Sequence, residues 1–95
     1  VVPHNPLSPV STAACLQIAA TAPNFALQEY PIGEDVAPKN NMVTGMAQHD
    51  GNGYLTISDA PGIGLELKPN AIEMCPETPR EVVTRLHADG SVIDQ

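Results

Sequence analysis

The stretch VVPHNPLSPVSTAACLQIAATAPNFALQ, residues 1–28, decides the fold. It holds no Asp, Glu, Lys or Arg; every such residue of the chain lies between Glu29 and Asp94. A segment of that length without charge has no ordinary solvent-facing side. Membrane insertion does not account for it, because Pro3, Asn5, Pro6, Pro9, Gln17, Pro23 and Asn24 interrupt the apolar run well short of the ~20 residues a spanning helix needs. Burial inside a polypeptide larger than this chain does. Val1 stands where a complete chain begins with Met, and no basic segment precedes an apolar one. A piece of a longer protein is therefore expected, and a signal peptide is not.

Within that stretch the local signals run strand, loop, helix, strand. Val1-Val2 reads as the end of a buried strand. Pro3 to Pro9 is a loop, since its prolines forbid regular structure. Ser8 followed by Pro9 is a helix start, with the hydroxyl as N-cap and Pro at the first helical position. The helix is predicted over Pro9–Thr21, ended by Pro23. Val10, Ala13, Ala14, Gln17 and Ile18 share one of its faces, but Cys15, Leu16 and Ala19 are apolar or small as well, so cover on most sides is expected. Phe25-Ala26-Leu27 reads as a short buried parallel strand. The fold class expected is α/β, with residues 1–31 as one βαβ crossover.

Working outward, Glu29 to Gln48 reads as loop with at most one short helix. Gly51–Gly53 is a turn, and Tyr54–Ser58 alternates as a strand. Pro61-Gly62 turns the chain again. Ile63, Leu65 and Leu67 alternate with Gly64 and Glu66, and Asn70–Met74 suits a helical turn. Val82–Leu86 and Val92-Ile93 flank Asp89-Gly90, the strongest hairpin signal in the chain.

The 95 residues are enough for one small domain. Aromatics are only 3%, so an independent core would be thin. The net charge of -7 argues against nucleic acid or an anionic membrane as partner, because both need a basic surface. Cys15 and Cys75 are too few for a disulfide scaffold and read as free thiols in a reducing, cytoplasmic compartment.

Two residues stand out chemically. His4 follows the first strand in a proline-pinned loop, where the rim of a parallel barrel suits general acid–base work; the alternative is a structural loop His. Glu29 is the first charge after the neutral stretch and sits at the same end of the next strand. A carboxylate emerging there is costly unless paired or used; the alternative is a strand-end charge reaching water. Adjacent parallel strands would bring the two to one rim. Gln48–Asp59 resembles an EF-hand calcium loop, with Asp50, Asn52 and Gly53 in register. Gln48 stands where the first carboxylate belongs, Asp59 where the bidentate Glu belongs, and Pro and Gly on both sides exclude flanking helices. A Gly-rich turn explains it better. Gly62 and Gly64 make a poor phosphate loop, and no Cys or His pair has metal-ligand spacing. His49 and His87 read as exposed, and Ser8 as a cap.

The segment PHNPLSPVSTAACLQIAATAPNFALQEYP, residues 3–31, together with DAPGIGLEL, residues 59–67, resembles the acid-sugar dehydratases of the enolase superfamily. The branch is that of mandelate racemase and muconate lactonizing enzyme, and the resemblance is nearest to the galactonate type. VVTRLHADGSVIDQ, residues 82–95, looks like the C-terminus of such a protein. Asn5 stands where mannonate-type relatives have Gly, which favours a galactonate- or gluconate-like subgroup. The resemblance implies a modified (β/α) TIM barrel with an α+β capping domain. Residues 1–31 would then be the end of the barrel, and 32–95 a β-rich segment packing on barrel and cap. It further implies Mg²⁺-dependent abstraction of the proton α to a carboxylate, then loss of the β-hydroxyl as water. His4 matches the family's base, oriented there by an Asp on the preceding strand, and Glu29 the carboxylate beside the enediolate. The metal ligands and the general acid would lie outside this chain. Implied partners are a small sugar acid, the rest of the same polypeptide and further copies in a homo-oligomer. Two other readings stand beside it: a weakly catalytic or non-enzymatic family member with a regulatory or binding role, and a free-standing acidic binding module, which the uncharged first third argues against.

Overall fold

A computed structural model describes residues 1–79 and 85–93. Its principal element is helix α1, Pro9–Thr21. The cap forms as the sequence dictates: Ser8 is extended, its Oγ accepts from the Ser11 N–H at 3.4 Å, and its carbonyl accepts from Thr12 N–H at 3.0 Å. Pro at the first position has no N–H to leave orphaned. At the other end Ala22 N–H still reaches the Ile18 carbonyl at 2.9 Å, and Pro23 then stops the ladder.

The buried line of α1 is Pro9, Thr12, Ala13 and Leu16, while Ala14 and Ile18 are exposed. This corrects the expected face by about one residue, and the expected cover on most sides is absent. The cause is Glu34: its carboxylate accepts from Thr12 Oγ at 2.7 Å, which draws the loop after Pro31 over that side of the helix.

The two flanking strands of the βαβ expectation are also corrected. Residues 1–2 and 25–27 lie side by side, joined by Ala26 N–H to the Val1 carbonyl at 3.0 Å, yet neither forms a ladder. Val1, Val2, Phe25 and Leu27 are exposed rather than buried. With the Val1 amino group donating to the Asn24 carbonyl at 2.5 Å, two bonds join the segments, both at Val1, and two bonds at one residue do not make a sheet; parallel sheets are normally covered on both faces.

The remaining elements are short. A 3₁₀ turn spans Lys39–Met42, β1 is Val43–Thr44, β2 is Glu66–Leu67 and α2 is Ala71–Met74. β1 and β2 pair antiparallel, Val43 opposite Leu67 and Thr44 opposite Glu66. The Ile63–Leu67 alternation thus forms a strand only at its end, against Val43-Thr44 in a stretch whose sequence reads as loop. The pairing relies on two glycines. Gly45 has φ 79°, and a Cβ there would meet the Gly64 carbonyl at 2.5 Å; Gly64 has φ 74°, and a Cβ there would meet Ser58 Cβ at 2.7 Å. Gly64 is therefore a point of close chain approach. Tyr54–Ser58 contributes only a bridge between Leu55 and His49. The Asp89-Gly90 hairpin is present: Leu86 bridges Val92, His87 N–H donates to Ser91 O at 2.8 Å, and Gly90 takes φ 85°. Val82–Thr84, its outer arm, lie outside the described residues.

The apolar core among the described residues is Ala13, Leu16, Val43 and Ala71. The accessible surface is 7200 Å², against about 5,200 Å² for a self-contained monomer of this mass. The radius of gyration is 16.5 Å, against about 12 Å for a compact domain of this length. Large apolar side chains lie open along the chain, among them Val1, Val2, Leu27, Ile32, Tyr54 and Ile72.

Candidate active site

Pro3 and Pro6 fix the loop that leaves residues 1–2, and Pro31 follows the segment that ends at Glu29. The two segments present His4 and Glu29 to each other. His4 Nδ1 lies 2.8 Å from Glu29 Oε2. The same oxygen accepts the Asn5 backbone N–H, and the Asn5 side-chain amide donates to the Glu29 carbonyl at 3.1 Å. Gln28 Nε2 donates to that carbonyl as well, at 2.8 Å.

These contacts set the protonation of the pair. The Asn5 N–H holds the Glu29 carboxyl below the usual carboxylate range; burial opposes the shift, and the His4 hydrogen bond and charge add to it. Glu29 is thus ionised near neutrality and can only accept. Facing an acceptor, Nδ1 carries the proton between the two groups, and in the neutral imidazole the lone pair is then on Nε2. The His4 side chain is 81% exposed, so Nε2 is open to a ligand. A carboxylate-oriented imidazole with a free Nε2 is suited to take a proton. The carboxylate that meets His4 within this chain is Glu29, whereas the resemblance implies an Asp on the preceding strand.

Behind the pair lies a polar chain that the sequence reading missed. Asn5 Nδ2 donates to Thr12 Oγ, and Thr12 Oγ donates to Glu34 Oε2 at 2.7 Å. Asn5, Thr12 and Glu34 are all buried. Burial pushes the Glu34 carboxyl up, and the Thr12 hydrogen bond opposes it. No sequence signal separates Glu34 from its exposed neighbour Asp35. Thr12 alone was legible, as a polar residue one turn past the Ser8 cap.

Among the described residues no group of three or more His, Cys, Asp or Glu is placed to hold a metal ion. His4 and Glu29 offer two donors, already bonded to each other, and do not by themselves fit a magnesium site. The calcium-like segment is a turn that caps itself: Asp50 accepts from Asn52 N–H at 2.7 Å and Tyr54 N–H at 3.0 Å, and His49 Nδ1 accepts from Gly51 N–H at 3.0 Å. His49 stacks on Tyr30, ring centroids 6.1 Å apart. Because these side chains serve the turn, Asp50→Ala and His49→Ala should leave the His4–Glu29 contact in place; the NMR shifts of the His4 ring check this. Cys15 and Cys75 are free thiols. No helix among the described residues is long and apolar enough to cross a membrane.

Residues 1–71, which include the whole His4–Glu29 arrangement, match the family model of the enolase C-terminal domain-like proteins. The chain belongs to that family. As an enolase C-terminal domain-like chain it is α/β, and the resemblance of residues 3–31 and 59–67 is substantiated. Curated relatives agree. A "D-galactonate dehydratase family member" of Streptomyces bingchenggensis is 35% identical over 94 residues, covering 97% of this chain and 22% of that protein. The D-galactonate dehydratase of Variovorax paradoxus is 34% identical over 99 residues, and that of Xanthomonas campestris pv. campestris 32%, each covering 97% of this chain and 26% of the relative. The chain thus spans about a quarter of the length of the curated relatives it matches. No solved structure matches it significantly.

Proposed function

We propose that this chain forms the end of the barrel in an acid-sugar dehydratase of the galactonate type, with His4 as general base and Glu29 as the carboxylate that fixes its tautomer. The observation that carries the reading is the 2.8 Å Nδ1–carboxylate contact with Nε2 left open, on a chain whose relatives are named D-galactonate dehydratase. His4 Nε2 removes the proton α to the substrate carboxylate, and the C–H electron pair passes into the carboxyl group. When that pair returns, it forms the α–β double bond and the β C–O bond breaks. The departing hydroxyl takes a proton and leaves as water, and the enol product relaxes to a 3-deoxy-2-keto acid. A base in place supplies roughly 10²–10⁴-fold of the acceleration.

Mg²⁺ ligands, if the enzyme follows its family, come from outside this chain, as does the proton donor to the leaving hydroxyl; Mg²⁺ would supply charge stabilisation at the substrate carboxylate. The exposed surfaces of residues 1–2 and 25–27 would be covered by other barrel strands of the same polypeptide. Residues 32–95 would return to a capping domain. A cytoplasmic homo-oligomer is the expected setting.

The test is to incubate the complete enzyme with D-galactonate and a panel of other sugar acids in deuterated water containing Mg²⁺, followed by proton NMR. Loss of the α-proton signal with appearance of a 3-deoxy-2-keto acid is expected. Neither exchange nor dehydration of any sugar acid would overturn the reading in favour of a non-catalytic member with a binding or regulatory role.

A further inference from the structure

We propose that Thr12 and Glu34 are positioning residues: through Asn5 they hold the Glu29 carboxylate against His4. The proposal deepens the dehydratase reading and rests on it for its kinetic arm.

The geometry is a relay with one direction. Thr12 has a single hydroxyl proton. Donated to Glu34 Oε2 at 2.7 Å, it leaves a lone pair facing Asn5 Nδ2. The Asn5 amide is then held by two acceptors, Thr12 Oγ and the Glu29 carbonyl. With its side chain fixed, Asn5 presents its backbone N–H to the same Glu29 oxygen that meets His4. Asn5 therefore grips Glu29 at its carbonyl and at its carboxylate. Residue 5 also adjoins His4, so the grip fixes both members of the pair.

Stability alone is a poor reason for this arrangement. Asn5, Thr12 and Glu34 are 0%, 1% and 0% exposed, and a buried carboxyl is weak evidence for stabilisation because its desolvation offsets its contacts. Among the described residues one Glu34 oxygen has no hydrogen-bond partner, and neither has Asn5 Oδ1. The groups that are paired are those on the line from Glu34 to Glu29. Charge around Glu34 comes from Asp35 beside it and Lys39 beyond, the first disfavouring and the second favouring its ionised form.

The experiment compares Thr12→Val with Thr12→Ser in the complete enzyme. Val keeps the shape and loses the hydroxyl; Ser keeps the hydroxyl and loses the methyl. A small misplacement of catalytic groups costs up to about 10²-fold, so Thr12→Val should lower kcat by roughly 10–100-fold with KM little changed. Thr12→Ser should restore most of it. Glu34→Gln, which retains an oxygen acceptor, should behave like Thr12→Ser, and Glu34→Leu like Thr12→Val. Should Thr12→Val fail to fold, Thr12→Ala gives the same comparison. The second readout needs no substrate: hydrogen exchange at the Asn5 amide should quicken in Thr12→Val and not in Thr12→Ser. Equal kcat in folded Val and Ser variants, or unchanged Asn5 exchange, overturns the proposal. Should the parent enzyme dehydrate no sugar acid, the dehydratase reading fails, while the exchange measurement still decides whether the relay holds Asn5.

Discussion

Replacing His4 by Asn in the complete enzyme should lower kcat by about 10²–10⁴-fold or more, with only a modest change in KM. Asn has an amide that can still face Glu29, so the loop between Pro3 and Pro6 should survive the change. What it lacks is a lone pair of suitable basicity at the position of Nε2. The loss should fall on the chemical step, and the variant should no longer exchange the substrate α-proton with deuterated water, a measurement independent of dehydration. Glu29→Gln should slow turnover less. Its side-chain oxygen can still accept from Asn5 N–H, but a neutral amide no longer dictates that the proton sit on Nδ1, and a fraction of the imidazole would carry it on Nε2 instead. Full α-proton exchange by His4→Asn on a sugar acid the enzyme dehydrates would move the base outside this chain and leave His4 to orient substrate.

The parts legible in the sequence are those fixed by short-range chemistry. Ser8-Pro9 starts α1 and Pro23 ends it because capping and the missing proline N–H act within a turn. Asn70–Met74 and Asp89-Gly90 are local in the same sense. The contact of His4 with Glu29 was legible for a different reason: residues 1–2 and 25–27 read as adjacent, parallel segments, which puts the residues that follow them at the same end, and the two segments do lie side by side. What escaped depends on distant partners. Val43-Thr44 are both β-branched, but two such residues next to Gly45 are too short a run to mark a strand, and the pairing with Glu66-Leu67 across the sheet defines it. The buried side of α1 includes Thr12, which meets Glu34 22 residues on, and a helix whose apolar and small residues lie on most sides offers no preferred face for that contact to be inferred from. Val1-Val2 and Phe25–Leu27 have strand composition, yet a strand exists only as part of a ladder, and the described residues form none there.

The 95-residue chain on its own should show no cooperative thermal transition. Its buried apolar residues among those described are two alanines, one leucine and one valine, and the leucine and valine each contribute only about 1.5–3 kcal/mol on burial. Against this stands the ordering of a chain in which each residue costs roughly 1–2 kcal/mol of backbone entropy. The surface points the same way: roughly 2,000 Å² more is exposed than a self-contained domain of this mass leaves open, and Val1, Val2, Phe25, Leu27 and Tyr54 are part of it. Phe25, Leu27 and Tyr54 also line, with Leu16, a groove of about 390 Å³, so its walls are apolar and would be wet. Circular dichroism should give residual helix from Pro9–Thr21 that melts gradually, and urea should produce no sigmoidal loss of signal. Dynamic light scattering should detect association through the exposed faces as concentration rises. The same segment within the complete enzyme should unfold with the remainder in one step, because there the faces of residues 1–2 and 25–27 would have barrel strands against them. A monomeric 95-residue chain with a sharp, reversible transition would refute this. Its groove and its uncharged first third would then need no further cover, and the chain would be a free-standing acidic binding module.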